Sequence, residues 1–341
     1  MFFTKEDKSI RYVGRWYEGT ATACGSFFEI YFKGDYVKLH FDCKYNREPA
    51  PHIYLCLDDG AMTEAVIAPF LRVNTVEGEH KLTVIYKGAV EMHHRWYAPL
   101  EGKVALTGYE ADEALTAPKG TKKVIEFVGD SITEGVQVDH ENKITDEDPQ
   151  PNRAFEDDST ATYAWRSAQA LGLEPIIMGY GAVGVNVSGC GSVPKATEAY
   201  PYCFDGAPIS HHPDYVFINH GTNDHFSDKP TYEREYKRLI DIILSHHPEA
   251  EIICMKPFGS YHADSFPCVV EDYNRETGRN VHYIDTTGWN EGMSTHPTRE
   301  AHKILADKMV EELKKIIRNA ECGMRKHSAF LTHNFKNARH S

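Results

Sequence analysis

A change of hydrophobic period near residue 120 constrains this chain more than any other feature. Before it, apolar residues come in short β-branched and aromatic runs at 26–34, 36–43, 52–59, 80–88 and 103–110. Gly, Asp, Asn and Pro separate the runs, and Tyr36-Val37-Lys38-Leu39-His40-Phe41 alternates as a half-buried strand does. After it, apolar runs at 124–129, 174–180, 215–221, 251–257 and 281–285 alternate with helical patterns at 161–171 and 232–245. A last helix is expected from Pro297 to about Ile317, with Leu305, Met309 and Leu313 on its apolar face.

The first half is therefore expected to be an all-β sandwich of jelly-roll type. The second is expected to be a three-layer α/β/α domain around a parallel sheet. A chain of 341 residues also exceeds what one core usually serves. The expected division is a β-sandwich at 1–115, a linker at 116–122 containing Pro118 and Gly120, an α/β domain at 123–320 and a basic, aperiodic tail at 321–341.

With 37 basic and 50 acidic residues the formal charge is −13, which repels phosphate backbones and argues against nucleic acid as a partner. No stretch nears the roughly 18 apolar residues of a membrane span. The eight cysteines form no C-x-x-C pair, and the first residues carry no apolar signal-like run. These features suggest a cytoplasmic protein with reduced thiols, no membrane association and no obligate protein partner.

In a parallel α/β sheet, ligands bind beyond the carboxyl ends of the strands, and the polar segments of this half fall there. After the first run comes Gly129-Asp130-Ser131-Ile132-Thr133, where Ser131 is either a projecting nucleophile or a helix cap. After the second comes Gly181-Ala182-Val183-Gly184, whose glycines let a backbone N–H approach a ligand. After the third comes Gly221-Thr222-Asn223-Asp224, in which Asn223 is an oxyanion donor or a turn former. His296, just before the final helix, can reach across the sheet to activate a serine.

That ordered set, Gly129-Asp130-Ser131, Gly184, Gly221-Thr222-Asn223-Asp224 and His296, resembles the SGNH (GDSL-type) hydrolase superfamily. With Val13-Gly14-Arg15-Trp16 and the strand-rich half, the chain looks most like carbohydrate esterase family 2. Members join a jelly roll to an SGNH domain and remove acetyl groups from plant polysaccharides. The resemblance implies Ser131 as nucleophile and His296 as general base. It also implies an oxyanion hole from the N–H groups of Ser131 and Gly184 (alternatively Gly181) and the Asn223 amide. The expected substrates are acetylated manno- or xylo-oligosaccharides. The superfamily's aspartate before the histidine is missing, because Met293 and Ser294 stand in those places. A backbone carbonyl, the Ser294 hydroxyl and Glu291 are, in that order, the candidates for orienting His296.

Trp289 is a candidate for stacking on a sugar or for plugging its loop. Asp130 and Trp96 are further candidates for touching substrate, Trp96 with core filling as its rival role. No cofactor is expected. The adjacent pairs His93-His94, His211-His212 and His246-His247 lack partners at metal-site spacing, so no metal is expected either. A non-catalytic carbohydrate-binding protein on the same scaffold, or an esterase for non-sugar acyl esters, are the alternatives.

Overall fold

A computed structural model describes residues 1–140, 154–259 and 261–337, with the backbone alone for 319–337. Strands are the only regular elements described in the first half. It contains β1 (Phe2–Thr4), β2 (Ile10–Val13), β3 (Thr20–Ala21), β4 (Phe27–Phe41), β5 (His52–Leu57), β6 (Met62–Val66), β7 (Phe70–Gly88), β8 (Val104–Glu110) and β9 (Glu113–Ala114). They form one antiparallel sheet in the order β1-β8-β4-β7-β5-β6, with β2 and β9 on β4 and β3 on β8.

Two runs expected as separate strands are one here. β4 passes straight through Gly34 and Asp35, with an irregularity between Gly34 and Tyr36 where its register with β7 shifts. The turn-like residues mark a bulge in a long strand, not its end. The expected run at 80–88 is likewise only the second half of β7.

The second half begins with β10 (Val124–Gly129), followed by α1 (Ser131–Glu134), α2 (Tyr163–Ala170) and β11 (Glu174–Gly179). α3 (Ala196–Ala199) and a small hairpin of β12 (Tyr202–Phe204) and β13 (Ala207–Pro208) come next. Then come β14 (Tyr215–Asn219), α4 (Lys229–His246), β15 (Glu251–Met255), α5 (Cys268–Thr277), β16 (His282–Ile284) and α6 (Arg299–Asn337). The sheet is wholly parallel in the order β11-β10-β14-β15-β16. The chain turns to one side of β10 for β11 and to the other for β14. The switch point, where such sheets hold their ligands, therefore lies at the carboxyl ends of β10 and its neighbours.

α5 was not foreseen: its apolar face reduces to Val269, Val270 and Tyr273, too short a stripe to stand out. α6 runs on to Asn337, through most of the segment expected as a tail, and 338–341 lie outside the described residues. Met, Arg, Lys, Ala and Leu favour a helix there without an apolar period in the sequence, and the single Gly323 costs about 1 kcal/mol.

Buried side chains gather in three clusters. One lies within the antiparallel half. The other two flank the parallel sheet, and both recruit the first half, through Ala23 and Trp96 on one side and Val13, Phe27 and Ile85 on the other.

Candidate active site

Ser131 follows β10 directly. Asp130 caps the turn: its Oδ1 accepts the Ile132 N–H at 3.0 Å, and its carbonyl accepts those of Thr133 and Glu134. The bonds of the cap go to Ile132, Thr133 and Glu134 and do not involve the Ser131 N–H. Both foreseen roles are thus present at the junction, divided between neighbours: Asp130 caps and Ser131 projects.

His296 arrives from the loop before α6 and places Nε2 2.9 Å from Ser131 Oγ. The hydroxyl and the imidazole are in hydrogen-bond reach without rearrangement, as a serine and its base would need to be. Burial lowers the imidazole's pKa below its ordinary 6.5, which keeps the ring neutral and able to take a proton.

The group on the other ring nitrogen is none of the three expected. His296 Nδ1 lies 2.9 Å from Oε1 of Gln137, six residues after the nucleophile. The Ser294 hydroxyl instead donates to the carbonyl of His296 itself, which fixes the loop, not the ring. Glu291 is exposed. The expected main-chain acceptor is displaced because the Gln137 amide already occupies that position.

The Asn223 amide enters from the loop after β14. Its Nδ2 donates to the Val183 carbonyl at 3.1 Å and lies 3.5 Å from Asp130 Oδ2, so its donors are aimed beside the nucleophile's own turn. Gly184 corrects the expected oxyanion hole. Its N–H donates to the Val187 carbonyl at 2.9 Å and is not a spare donor. Its lack of a side chain serves another purpose, since a Cβ there would stand 2.6 Å from the Asp224 carboxylate. That close approach lets Asp224 accept the N–H groups of Val185 (3.1 Å) and Asn186 (2.9 Å), pinning this loop to the one that carries Asn223. At the alternative, Gly181, the carbonyl accepts the Cys190 N–H and the Glu91 carboxylate lies against the Cα.

Two substrate-contact candidates are corrected by burial. Asp130 is enclosed, and that burial chiefly raises its carboxyl pKa to about 7. Trp96 is only 3% exposed and meets Tyr180 edge-on in a core cluster. Trp289 is half-buried against another cluster, with the Lys308 ammonium donating to its carbonyl, and it fastens the His296 loop to α6.

Sequence reasoning missed an exposed aromatic group immediately after Asn223. Phe226 is 87% exposed and Tyr261 50%, and His225 lies between them with ring centroids 4.0 and 5.1 Å away. The signal was present as large apolar residues in a strand-end loop, where nothing in the local pattern buries them.

Among the described residues, Glu126, His211 and His247 bring ligand-type atoms within 4.8 Å of one another. Glu126 is already occupied: Arg15 pairs with it at 2.8 Å and the Tyr200 hydroxyl donates to it at 2.7 Å. The group is a polar latch between the two halves. A groove of about 840 Å³ lies nearby, lined by Lys8, Trp16, Val124, Glu174 and His211. It sits at the starts of β10 and β11, the opposite end of the sheet from Ser131.

The residue pattern of the GDSL-like Lipase/Acylhydrolase family matches residues 127–304. The chain is 27% identical over 236 residues to the cellulase/esterase CelE of Acetivibrio thermocellus, covering 62% of this chain and 28% of that protein. It is 25% identical over 260 residues to an acetylxylan esterase / glucomannan deacetylase of Cellvibrio japonicus, covering 70% and 68%. The fold superposes on a family two carbohydrate esterase from Cellvibrio japonicus with a TM-score of 0.75 at 20% identity, covering 93% of this chain and 98% of the other.

Proposed function

The chain belongs to the GDSL-like lipase/acylhydrolase family, and from that premise we propose that it is a serine esterase removing O-acetyl groups from plant oligosaccharides or polysaccharides. The observation that carries this reading is the Ser131–His296 pair, 2.9 Å apart at the switch point of the sheet. Acetylated xylan and glucomannan fragments are the substrates we favour, because the Cellvibrio japonicus relative is an acetylxylan esterase / glucomannan deacetylase.

In this mechanism Ser131 Oγ attacks the acetyl carbonyl while His296 Nε2 takes the hydroxyl proton. The Ser131 N–H holds the resulting oxyanion together with the Asn223 amide, which turns to it the N–H now directed at Asp130 Oδ2 over 3.5 Å. His296 then returns the proton to the departing sugar oxygen, leaving an acetyl-serine. Water attacks that ester with His296 again as base, and acetate leaves as Ser131 regains its proton. Each proton passes through one imidazole, so nothing else is consumed.

Phe226, three residues after Asn223, and Tyr261, which meets the same His225 ring, are flat apolar faces suited to a pyranose ring. We read the antiparallel half, residues 1–115, as a jelly-roll sandwich that braces the catalytic half, 123–320, across the 116–122 linker. Its buried side chains run into both clusters of the parallel sheet.

The test is acetate release from acetylated xylo- and manno-oligosaccharides, followed by mass spectrometry with positional assignment by NMR. Wild type should lose 42-dalton units, and Ser131→Ala should lose nearly all activity while keeping its fold. Hydrolysis of simple aryl acetates without any oligosaccharide deacetylation would instead favour a non-sugar ester. Ordinary turnover by S131A would reject the nucleophile.

A further inference from the structure

We propose that Gln137 is the positioning residue of this site, its side-chain carbonyl holding His296 in the Nδ1-protonated tautomer in place of a carboxylate. The inference rests on the reading of Ser131 and His296 as nucleophile and base.

An amide oxygen only accepts hydrogen bonds. At 2.9 Å from Nδ1, Gln137 Oε1 therefore requires the proton on that nitrogen. Nε2 is left with its lone pair toward Ser131 Oγ, also at 2.9 Å. This is the tautomer a nucleophilic serine needs, and an acceptor on Nδ1 is what selects it.

The backbone at Gln137 shows the same purpose. Its φ is 57°, in the left-handed region that non-glycine residues rarely occupy and that costs of order 1–3 kcal/mol. The neighbouring chain holds it there. The Gln137 N–H donates to Asp157 Oδ1 at 2.7 Å, and its carbonyl accepts the His140 N–H at 3.1 Å. On either side, Asp158 N–H donates to the Gly135 carbonyl and Asp139 N–H to that of Glu156. A buried glutamine is thus held in an unfavourable backbone state by a ladder of bonds, with its amide oxygen on the catalytic imidazole.

A neutral acceptor fixes the ring but adds no negative charge to stabilise imidazolium. The charged groups around the ring leave that balance in place. Arg299 on α6 is paired with Asp139 at 2.6 Å and Asp158 at 2.7 Å. His302, also on α6, is held neutral chiefly by burial, with its pKa near 3. Burial raises Asp130, beside Ser131, to about 7, and it also raises Asp157 well above the usual carboxylate range. The acid limb of kcat/KM should therefore fall below pH 6.5, where burial has moved His296.

The experiment uses the full chain, ¹⁵N-labelled, with two-bond ¹H–¹⁵N spectra of His296 and pH–rate profiles on 4-nitrophenyl acetate and an acetylated xylo-oligosaccharide. Wild type should show the Nδ1–H tautomer. Gln137→Glu should raise both the His296 pKa and the acid limb by roughly 1–3 units, as a carboxylate beside a cation does, while retaining far more activity than Gln137→Ala. Q137A should lose the tautomer preference and about 10²–10⁴ in kcat, bounded by the loss of a triad carboxylate's function, with KM nearly constant. A merely structural glutamine would lower Tm in Q137A and leave the limb of Q137E unmoved, which overturns the proposal. So would a Q137A protein with wild-type tautomer and kcat. Should Q137A fail to fold, the shift in Q137E decides. Aryl acetate turnover without oligosaccharide turnover would sink the substrate reading alone.

Discussion

Replacing Glu126 by glutamine isolates the charge that joins the two halves. Glu126 lies within β10 and Arg15 just after β2, and both side chains are fully enclosed. The guanidinium meets Glu126 Oε1 at 2.8 Å and donates to the carbonyls of Tyr200 and Tyr202 at 2.9 Å each. Glutamine keeps the volume and an acceptor for Tyr200, but leaves the Arg15 charge buried without a counter-charge. Breaking a buried pair in this way costs about 3–5 kcal/mol. The two surviving carbonyl bonds place E126Q near the lower end, roughly 3 kcal/mol. At about 2–4 °C per kcal/mol, that is a fall of ~6–12 °C in Tm. Burial alone would raise the Glu126 pKa, yet the Arg15 charge overrides it and holds the carboxyl well below its ordinary 4.5. Its stabilisation is therefore complete above about pH 4.5 and is lost as pH falls further. Calorimetry at pH 7 and at pH 3.5 should show the gap between E126Q and wild type narrowing in acid. In a cycle with Arg15→Met, the double variant R15M/E126Q should cost clearly less than the sum of the singles. A Tm within 2 °C of wild type for E126Q, or strict additivity in the cycle, would refute the latch.

Asn223→Ala should lower kcat by roughly 10²–10³ with little change in KM, since an oxyanion donor acts mainly in the transition state. A change confined to KM, measured on one acetylated oligosaccharide, would make Asn223 a binding or turn residue. Phe226→Ala and Tyr261→Ala should each raise KM for the oligosaccharide several-fold and leave 4-nitrophenyl acetate turnover nearly unchanged; equal effects on both substrates would remove the aromatic pair from sugar recognition.

The parallel half was legible because β10, β11, β14 and β15 are apolar runs buried along nearly their whole length. The bounds of β10, 124–129, were read directly, and those of β11, β14, β15 and β16 to within two residues at each end. The antiparallel half was legible in kind but not in count. Gly34-Asp35 looks locally like a turn, and only pairing with β7 on both sides of it, from Phe27↔Ile85 to His40↔Phe70, makes it a bulge. That pairing lies dozens of residues away in sequence, so no local window contains it. The end of α6 failed for a related reason. An amphipathic stripe reports burial, and the sequence after Ile317 carries no such stripe to read, although the backbone continues as helix to Asn337.

At the site, the residues that the structure brings together as expected are those whose place follows from the local pattern. Ser131 follows a buried strand, Asn223 lies in a strand-end loop, and His296 precedes a helix. The features that did not show in the sequence depend on contacts between loops. Gly184 was assigned a donor role from its place in a motif, while its bare Cα serves the Asp224 carboxylate. Gln137 carries no local mark, since its contact with His296 spans 159 residues and its left-handed backbone is imposed by Asp157 on another segment. Yet the empty acid positions at Met293 and Ser294 already required some acceptor for Nδ1. In the loop before His296, the Ser294 hydroxyl turns to the carbonyl of His296 and the Asn290 amide donates to the Phe258 carbonyl at 2.7 Å, while His296 Nδ1 meets Gln137 Oε1. The acceptor therefore comes from the segment that also carries the nucleophile. This arrangement ties Ser131 and the orienting group to one short stretch of chain. It makes the alignment of the imidazole depend on how firmly residues 135–140 are held against 156–158.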